Sequence, residues 1–253
     1  MTQQAPILSS PDARWLLAQR WAYAVGAPYH VQNGVSVDGL PLITGDLRRH
    51  TGAKLKDYWS LESADDLVKT LNWLGSEGHR RPYRERIRHY CMIRRPAVAA
   101  RREELRPEQF EAEEERDNAR SELWRIDAVQ ANWRGLRGAN LLGFDATRAA
   151  MLVRDGLVLQ WLPEHWAWRY LTDMAADVRG SFASWAEFAA DFKLSRAMWL
   201  GSAGVDQFET IADRLITERE SPWVRLPWAI DGLEVPRPVS PLEDGAPVWS
   251  LER

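Results

Sequence analysis

The chain has 253 residues, of which 45% are hydrophobic and 27% are charged, and its formal net charge is −3 at pH 7. These values are ordinary for a globular protein, so the composition excludes a disordered chain, and the small negative charge gives no general attraction to nucleic acid. The single cysteine, Cys91, excludes an internal disulfide and a metal site built from several cysteines. Tryptophan is frequent, with 14 residues, and most of these side chains are predicted to pack in the core.

The sequence carries no signal for secretion or for a membrane. Its N-terminal residues lack a basic region followed by an apolar one, which a signal peptide would have. No apolar run reaches the roughly 18 residues that a membrane-spanning helix requires. We therefore expect a soluble cytoplasmic protein with no membrane partner.

Helical patterns dominate the chain, and one stretch near the N-terminus differs from them. Asn33-Gly34 lies between valines in an alternating pattern that is typical of a β-hairpin, although a plain loop is the alternative. Ser63 begins a helix with a regular apolar face. Gly143 ends a helix, and Asp145 is expected to cap the next one. The sequence therefore predicts a mainly α protein, a compact multi-helix bundle with at most a small β-hairpin near the N-terminus.

Charge separates sharply in the middle of the sequence. Residues 80–102 contain nine arginines and one acid, whereas residues 103–122 contain nine acids and three arginines. One interpretation is two solvated helical faces that neutralise each other, with His79 and His89 exposed. The alternatives are a basic strip that binds phosphates and an acidic surface that faces a basic protein, and aromatic residues are too few here for a nucleic-acid platform. We therefore take the acidic part as the candidate partner-binding surface, formed by Glu111, Glu113, Glu114, Glu115 and Asp117.

The charged stretch also suggests how the chain is divided. Residues 1–102 are predicted to form an N-terminal helical lobe, and residues 103–120 a charged connecting segment. Residues 121–253 are predicted to form a C-terminal helical lobe. This lobe ends in a strap rich in proline and tryptophan, residues 221–228, whose indoles plug into the bundle, and then in a tail.

Two predicted helices carry charged residues on apolar faces. In residues 121–142 the apolar side chains surround the helix, which predicts a central helix covered on several sides, and Asp127 lies among them. In residues 182–199 Ser184 opens a helix whose apolar face includes Arg196. A guanidinium on an apolar face is destabilising unless a carboxylate meets it there. Asp127 and Arg196 are therefore predicted to form a buried structural ion pair.

Common catalytic motifs are missing from the sequence. There is no phosphate-binding loop, no dinucleotide-binding glycine pattern, no zinc-protease motif and no nucleophile elbow. The five histidines are never three or four residues apart, so their spacing predicts no metal site. We therefore predict a non-enzyme without catalytic residues, cofactor or metal. The alternative is an enzyme of unrecognised class with a tryptophan-lined pocket around Asp127 and Arg196.

The sequence resembles a bacterial family of proteins of unknown function, number 1266. The resemblance rests on short motifs in a fixed order between residues 59 and 228, namely Trp59, Gly78-His79-Arg80, Trp124-x-x-Asp127, Gly143, Ser195-Arg196-Ala197-Met198-Trp199 and Ser221-Pro222-Trp223. The chain departs from the family pattern at Gln130, where arginine is common, and at Ser195, where glycine is common. The resemblance implies no catalytic mechanism.

The resemblance does imply a partner. Some similar proteins are encoded beside effectors of type VI secretion, which implies an immunity protein that binds and neutralises a cognate nuclease-type toxin in the cytoplasm. A nuclease needs a basic groove for nucleic-acid phosphates, so an acidic surface would compete for that groove by electrostatic complementarity. The expected partner is therefore the effector protein and not nucleic acid.

Overall fold

Helices build this protein, as the sequence predicts. The computed structural model describes residues 5–9, 15–40, 43–203, 206–231 and 233. Within these residues no strand is present, and an isolated parallel bridge joins Leu8 to Ser36. The α-helices are α1 (Leu17–Ala24), α2 (Ala27–Gln32), α3 (Gly45–Trp59), α4 (Ala64–Ser76), α5 (Arg80–Met92), α6 (Arg95–Glu104), α7 (Glu113–Gln130), α8 (Leu142–Val158), α9 (Glu164–Ser181), α10 (Trp185–Leu200), α11 (Gln207–Thr217) and α12 (Pro222–Arg225), with short 3₁₀ helices at Pro107–Gln109 and Trp133–Gly138.

The Asn33-Gly34 sequence ends a helix and does not form a hairpin. Gly34 has φ +63°. Its backbone N–H donates to the carbonyl of Val31 at 3.0 Å, and the next N–H, of Val35, donates to the carbonyl of His30 at 2.9 Å. This pair of hydrogen bonds is the Schellman arrangement that closes helix C-termini. A hairpin turn and a helix end both need a glycine with positive φ at this position. The Asn33-Gly34 sequence therefore marks a turn, and in this structure the turn closes α2 and does not join two strands.

The central helix of the fold is α8, which corrects the prediction for residues 121–142. Of the 17 residues in α8, 15 are buried, and the helix packs against α4, α9 and α10. The predicted central helix is instead interrupted, because Asn132 and Arg134 have φ of +48° and +50°. Its apolar residues belong to two elements, α7 and the 3₁₀ helix Trp133–Gly138, which face different neighbours. When all of them are plotted on one helical wheel, they therefore appear on every side.

Two large hydrophobic clusters fill most of the described interior, beside a minor one formed by Phe144, Phe192, Phe208 and Ala212. The larger surrounds α8 and includes buried residues from α1 to α4 and from α9 to α12. The smaller lies where α5, α6 and α7 meet the C-terminal part of α10. Both clusters combine residues from the two predicted lobes, and residues 113–120 of the predicted connecting segment form the start of α7. Of the predicted tail, Leu233 is buried in the larger cluster, and residues 234–253 lie outside the described residues.

The strap packs by its indole rings, as the sequence predicts. Trp223 is buried and stacks on Trp185 with ring centroids 5.5 Å apart. Its Nε1–H donates to the carbonyl of Ala24 at 2.8 Å, and the Nε1–H of Trp185 donates to the carbonyl of Leu226 at 3.0 Å. One helical turn, α12, interrupts the extended strap that was expected.

A polar cluster is buried beside α8. Asp155 accepts a hydrogen bond from Arg154 Nε at 2.9 Å and pairs with Lys54 Nζ at 2.7 Å. His30 is fully buried and stacks on Tyr23 at 4.2 Å, and its two ring nitrogens make no hydrogen bond with the described residues. Burial lowers the pKa of His30 well below 6.5, and the positive charge of Arg154 acts in the same direction. The imidazole is therefore neutral in the folded protein.

This neutral histidine predicts a loss of stability as pH falls. Below pH 6.5 the unfolded chain binds a proton at His30 that the folded chain does not, so stability present above pH 6.5 is lost on acidification toward the lowered folded-state pKa. The loss is about 1.4 kcal/mol per pH unit for one proton, or about 2 kcal/mol at pH 5. Chemical denaturation at pH 7 and pH 5 measures it. His30→Phe should remove this part of the slope, whereas His165→Gln, at an exposed position, should retain it; equal slopes in both variants would contradict the prediction.

Candidate functional site

The five predicted acidic residues, here called the acidic patch, lie on an exposed surface at the start of α7. They are Glu111, Glu113, Glu114, Glu115 and Asp117. Glu113 accepts from Arg116 Nε at 3.0 Å, and Asp117 accepts from Arg120 Nη1 at 2.6 Å. The other three carboxylates make no ion pair with the described residues. Arginines of the same helix therefore offset part of the charge of the acidic patch, and the remainder faces solvent.

The predicted ion pair between Asp127 and Arg196 is wrong, because each side chain binds another partner. Asp127 has an exposed side chain on α7 and pairs with Arg102 of α6. Arg196 Nε donates to Asp206 at 2.5 Å, and the Arg196 guanidinium stacks on the ring of Phe208 at 4.0 Å. Asp206 also caps α11 by accepting two of its backbone N–H groups. Arg196 does meet a carboxylate on its apolar face, but that carboxylate comes from the residue before α11.

A shallow pocket lies beside Arg196. Trp133, Asp206 and Glu209 line it together with Arg196. Asp127 is not part of its lining, so this pocket is not the one around both Asp127 and Arg196 that the alternative function predicts.

His79 and Arg80 form a buried junction with Asp145 of α8. The fully buried Asp145 accepts the backbone N–H groups of His79 at 3.0 Å and Arg80 at 3.1 Å, and also Arg80 Nη1 at 3.1 Å. Arg80 Nη1 donates in addition to the carbonyl of Leu74 at the end of α4. Asp145 therefore caps α5, whereas the sequence predicted that it would cap its own helix. Arg80 is buried, whereas a solvated helical face was one expectation for this segment. Gly78 is required here, since its φ is +56° and a Cβ would collide with the Asp145 carboxylate.

The start of α8 is capped by side chains from α10. The Asp191 carboxylate accepts the N–H of Leu141 at 2.7 Å and of Gly143 at 2.8 Å, and Ser195 Oγ accepts the N–H of Phe144 at 3.1 Å. Burial raises the pKa of Asp191, and the backbone hydrogen bonds from Gly143 and Leu141 oppose that rise. Because these caps come from another helix, α8 begins inside the core. Ser195, one of the departures from the family pattern, supplies one of them.

Arg148 projects from α8 into a group of aromatic side chains that reaches the surface. Its guanidinium carbon lies 3.9 Å from the ring centroid of Trp59, 4.8 Å from that of Phe144 and 5.8 Å from that of Trp199. Arg148 Nη1 contacts the His79 ring, at 3.0 Å from Nε2 and 3.3 Å from Nδ1. We call these five residues the Arg148 cluster. It brings together three helices, α3, α8 and α10, and the turn before α5, whose residues are far apart in sequence.

His79 links the Arg148 cluster to the buried junction. Its Nδ1 lies 3.1 Å from Asp145 Oδ1. Since an ionised carboxylate only accepts hydrogen bonds, Nδ1 carries the hydrogen in this contact, and the Arg148 guanidinium lies against the same ring. Polar contacts therefore run from Arg80 through Asp145 and His79 to Arg148. His79, expected to be exposed, has only 22% of its side chain exposed.

Arg148 differs from its neighbouring arginines in lacking a carboxylate. Arg80 pairs with Asp145 and Arg196 pairs with Asp206, whereas no acid of the described residues lies within ion-pair distance of Arg148. Its Nε and Nη2 donate no hydrogen bond to the described residues and are not among the buried polar atoms without a partner. Both atoms are therefore at least partly accessible to solvent. Burial of the rest of the group lowers the pKa of Arg148, and Arg148 carries an uncompensated positive charge.

Sequence reasoning did not select this cluster. Trp59, His79 and Trp199 were noted as separate short motifs, and nothing local connects them. A signal for Arg148 was present, since it is one of four charged residues in a helix whose other residues are apolar or small. A charged side chain is tolerated on a buried helix only where it pairs with another group or reaches the surface.

Among the described residues, no group of three or more His, Cys, Asp or Glu side chains is arranged to hold a metal ion. None of the helices in the described ranges combines the length and apolar character needed to cross a membrane.

Comparison with known proteins places the chain in a family. Residues 54–228 match the family model described as protein of unknown function, DUF1266. No curated protein and no solved structure matches the chain. The matched residues cover well over half of the chain and include the whole Arg148 cluster. The chain therefore belongs to the DUF1266 family of proteins of unknown function.

Proposed function

We propose that this chain is an immunity protein that binds a cognate nuclease-type effector of type VI secretion in the cytoplasm and neutralises it without catalysis. The observation that carries the proposal is the exposed acidic patch at the start of α7, in which Glu111, Glu114 and Glu115 have no ion-pair partner among the described residues. A nuclease binds nucleic-acid phosphates in a basic groove, and these carboxylates complement such a groove.

Helix α7 presents the acidic patch on a fixed support. In its second half, Glu122 accepts from Tyr90 Oη at 2.5 Å and pairs with Arg86 Nε at 2.9 Å, which ties α7 to α5. Arg125 Nε donates to the carbonyl of Met198 at 2.8 Å, which ties it to α10. A surface held in this way loses little conformational entropy on binding, which favours affinity.

Reversing the unpaired charges tests this proposal. The triple variant Glu111→Lys, Glu114→Lys, Glu115→Lys should lose protection when it is co-expressed with the cognate effector. Binding kinetics should show slower association and a changed salt dependence, because peripheral charges steer encounter. The thermal transition should change little, since exposed charges contribute little to folding. Glu113 and Asp117 stay unchanged because they bind arginines of α7.

A matched control separates the acidic patch from net charge. Asp57, Asp65 and Glu220 are exposed acids in other parts of the surface, and reversing all three changes the net charge of the protein by the same amount. This control should protect cells as the parent does. If the variant in the acidic patch also protects fully, or if the parent does not bind the effector in a pull-down, the proposal is wrong.

A further inference from the structure

We propose that the Arg148 cluster is an oxyanion-binding site, in which a carboxylate or phosphate group of a ligand binds the solvent-accessible Nε and Nη2 of Arg148 beside Trp59 and Trp199. The starting observation is the uncompensated charge of Arg148. The proposal does not depend on the immunity function, since it uses a different surface and a different ligand.

The geometry of Arg148 suits an oxyanion with two oxygens. Stacking on Trp59 and the contact of Nη1 with the His79 ring hold the guanidinium in place. The Nε and Nη2 groups remain as two parallel donors on one edge, and this edge matches the two oxygens of a carboxylate or a phosphate. The group projects from α8, the most buried helix of the described fold, so little ordering is needed on binding.

The electrostatics also favour an external anion. The guanidinium is held among three aromatic rings, where its charge is less screened than in water. The nearest acid in the hydrogen-bond chain, Asp145, is already occupied by Arg80 and by two backbone N–H groups. His79 contacts Arg148 through its ring and brings no negative charge. A ligand oxyanion would supply the charge that the described residues do not.

The surroundings indicate what the oxyanion is attached to. Trp199 is 40% exposed and Trp73 is 36% exposed, and Trp73 contacts His79 with ring centroids 4.7 Å apart. These indoles offer apolar, planar surfaces on the accessible side of the cluster. The site therefore fits a ligand whose oxyanion is joined to an aromatic or apolar body better than it fits a free inorganic anion.

Small probes test the site with the full-length protein. Benzoate and phenyl phosphate represent the two oxyanions on an aromatic body, inorganic phosphate lacks the body, and benzyl alcohol lacks the charge. At constant ionic strength, we expect benzoate, phenyl phosphate or both to bind saturably in calorimetry. Benzyl alcohol should bind at least about tenfold more weakly, because charge-assisted bidentate hydrogen bonds are the stronger ones. The aromatic probe that binds more tightly shows whether the site prefers a carboxylate or a phosphate.

Variants identify the residue responsible. Arg148→Gln should weaken binding at least about tenfold. The affinity of Arg148→Lys should lie between those of Arg148→Gln and the parent, since lysine keeps the charge but lacks the two-donor edge. Arg219→Gln, at an exposed position, should bind as the parent does. Failure of both aromatic probes to bind the parent, or unchanged binding by Arg148→Gln, would overturn the proposal.

A measurement on the parent protein keeps the test decisive even where a variant fails to fold. In a titration followed by NMR, the indole N–H signals of Trp59 and Trp199 should shift, whereas that of Trp223, buried on the strap, should not. Shifts confined to other tryptophans would contradict the proposed site. Because no effector protein is used, the result is independent of the immunity proposal.

Discussion

Replacing Asp145 with alanine is expected to lower the free energy of unfolding by about 3 to 5 kcal/mol, the range measured when one member of a buried ion pair is removed. The change leaves the buried Arg80 guanidinium without its carboxylate and two backbone N–H groups without their acceptor. An unpaired buried donor is destabilising by the full loss of its hydration. Chemical denaturation monitored by circular dichroism measures the effect.

A double-mutant cycle shows whether the two side chains act as a pair. Arg80→Met and Asp145→Ala together should destabilise the protein by clearly less than the sum of the single variants, since the second change removes the orphaned charge. Glu62→Ala serves as the control, because Glu62 pairs with Lys56 at 2.8 Å with both side chains more than 60% exposed. This control should cost at most about 1 kcal/mol. Additive losses, or equal losses in the buried and exposed pairs, would contradict the assigned role of Asp145.

Gly143→Ala is expected to destabilise the protein by about 3 kcal/mol, near the upper end of the usual range for overpacking. A Cβ at this position would lie 2.6 Å from the backbone nitrogen of Phe192 and 2.7 Å from its Cα. Backbone atoms cannot rotate away, so α8 and α10 would have to separate. That movement would also lengthen the hydrogen bonds by which Asp191 and Ser195 cap α8.

Gly138→Ala is the matched control for this prediction. It adds the same methyl group, and no atom lies within 4 Å of the Cβ that it would introduce. Its effect should stay within about 0.5 kcal/mol, as for ordinary surface substitutions. Thermal and chemical denaturation of the two variants should therefore differ clearly. Similar losses would show that the glycine at position 143 is not required by close helix packing.

The two proposals concern different surfaces, and this has a consequence for experiments. The acidic patch projects from the start of α7, whereas the Arg148 cluster lies between α3, α8 and α10 and the turn before α5. Charge reversal of the acidic patch should therefore leave the binding of benzoate and phenyl phosphate unchanged. Arg148→Gln should in turn leave encounter with a basic partner unchanged, unless the effector also fills the oxyanion site.

Local features of this protein were determined by the sequence itself. Ser63 Oγ accepts the N–H of Asp66, and Ser184 Oγ accepts the N–H of Glu187, each at 3.1 Å, as the spacing of these residues predicts. Capping depends on residues three apart, so neighbours in the fold are not needed to recognise it. The mainly α architecture followed for the same reason, because helical periodicity is repeated in most segments.

Tertiary structure decided where those helices go and which charges meet. The Asn33-Gly34 signal fits both a hairpin and a helix end, and the buried packing of α2 selects the second. Arg196 required a carboxylate, but periodicity carries no information on whether Asp127 or Asp206 supplies it. Arg148 and Trp59 are 89 positions apart in the sequence, and they meet only because α3 and α8 are packed together. Such contacts depend on the packing of whole helices, which a local pattern does not specify.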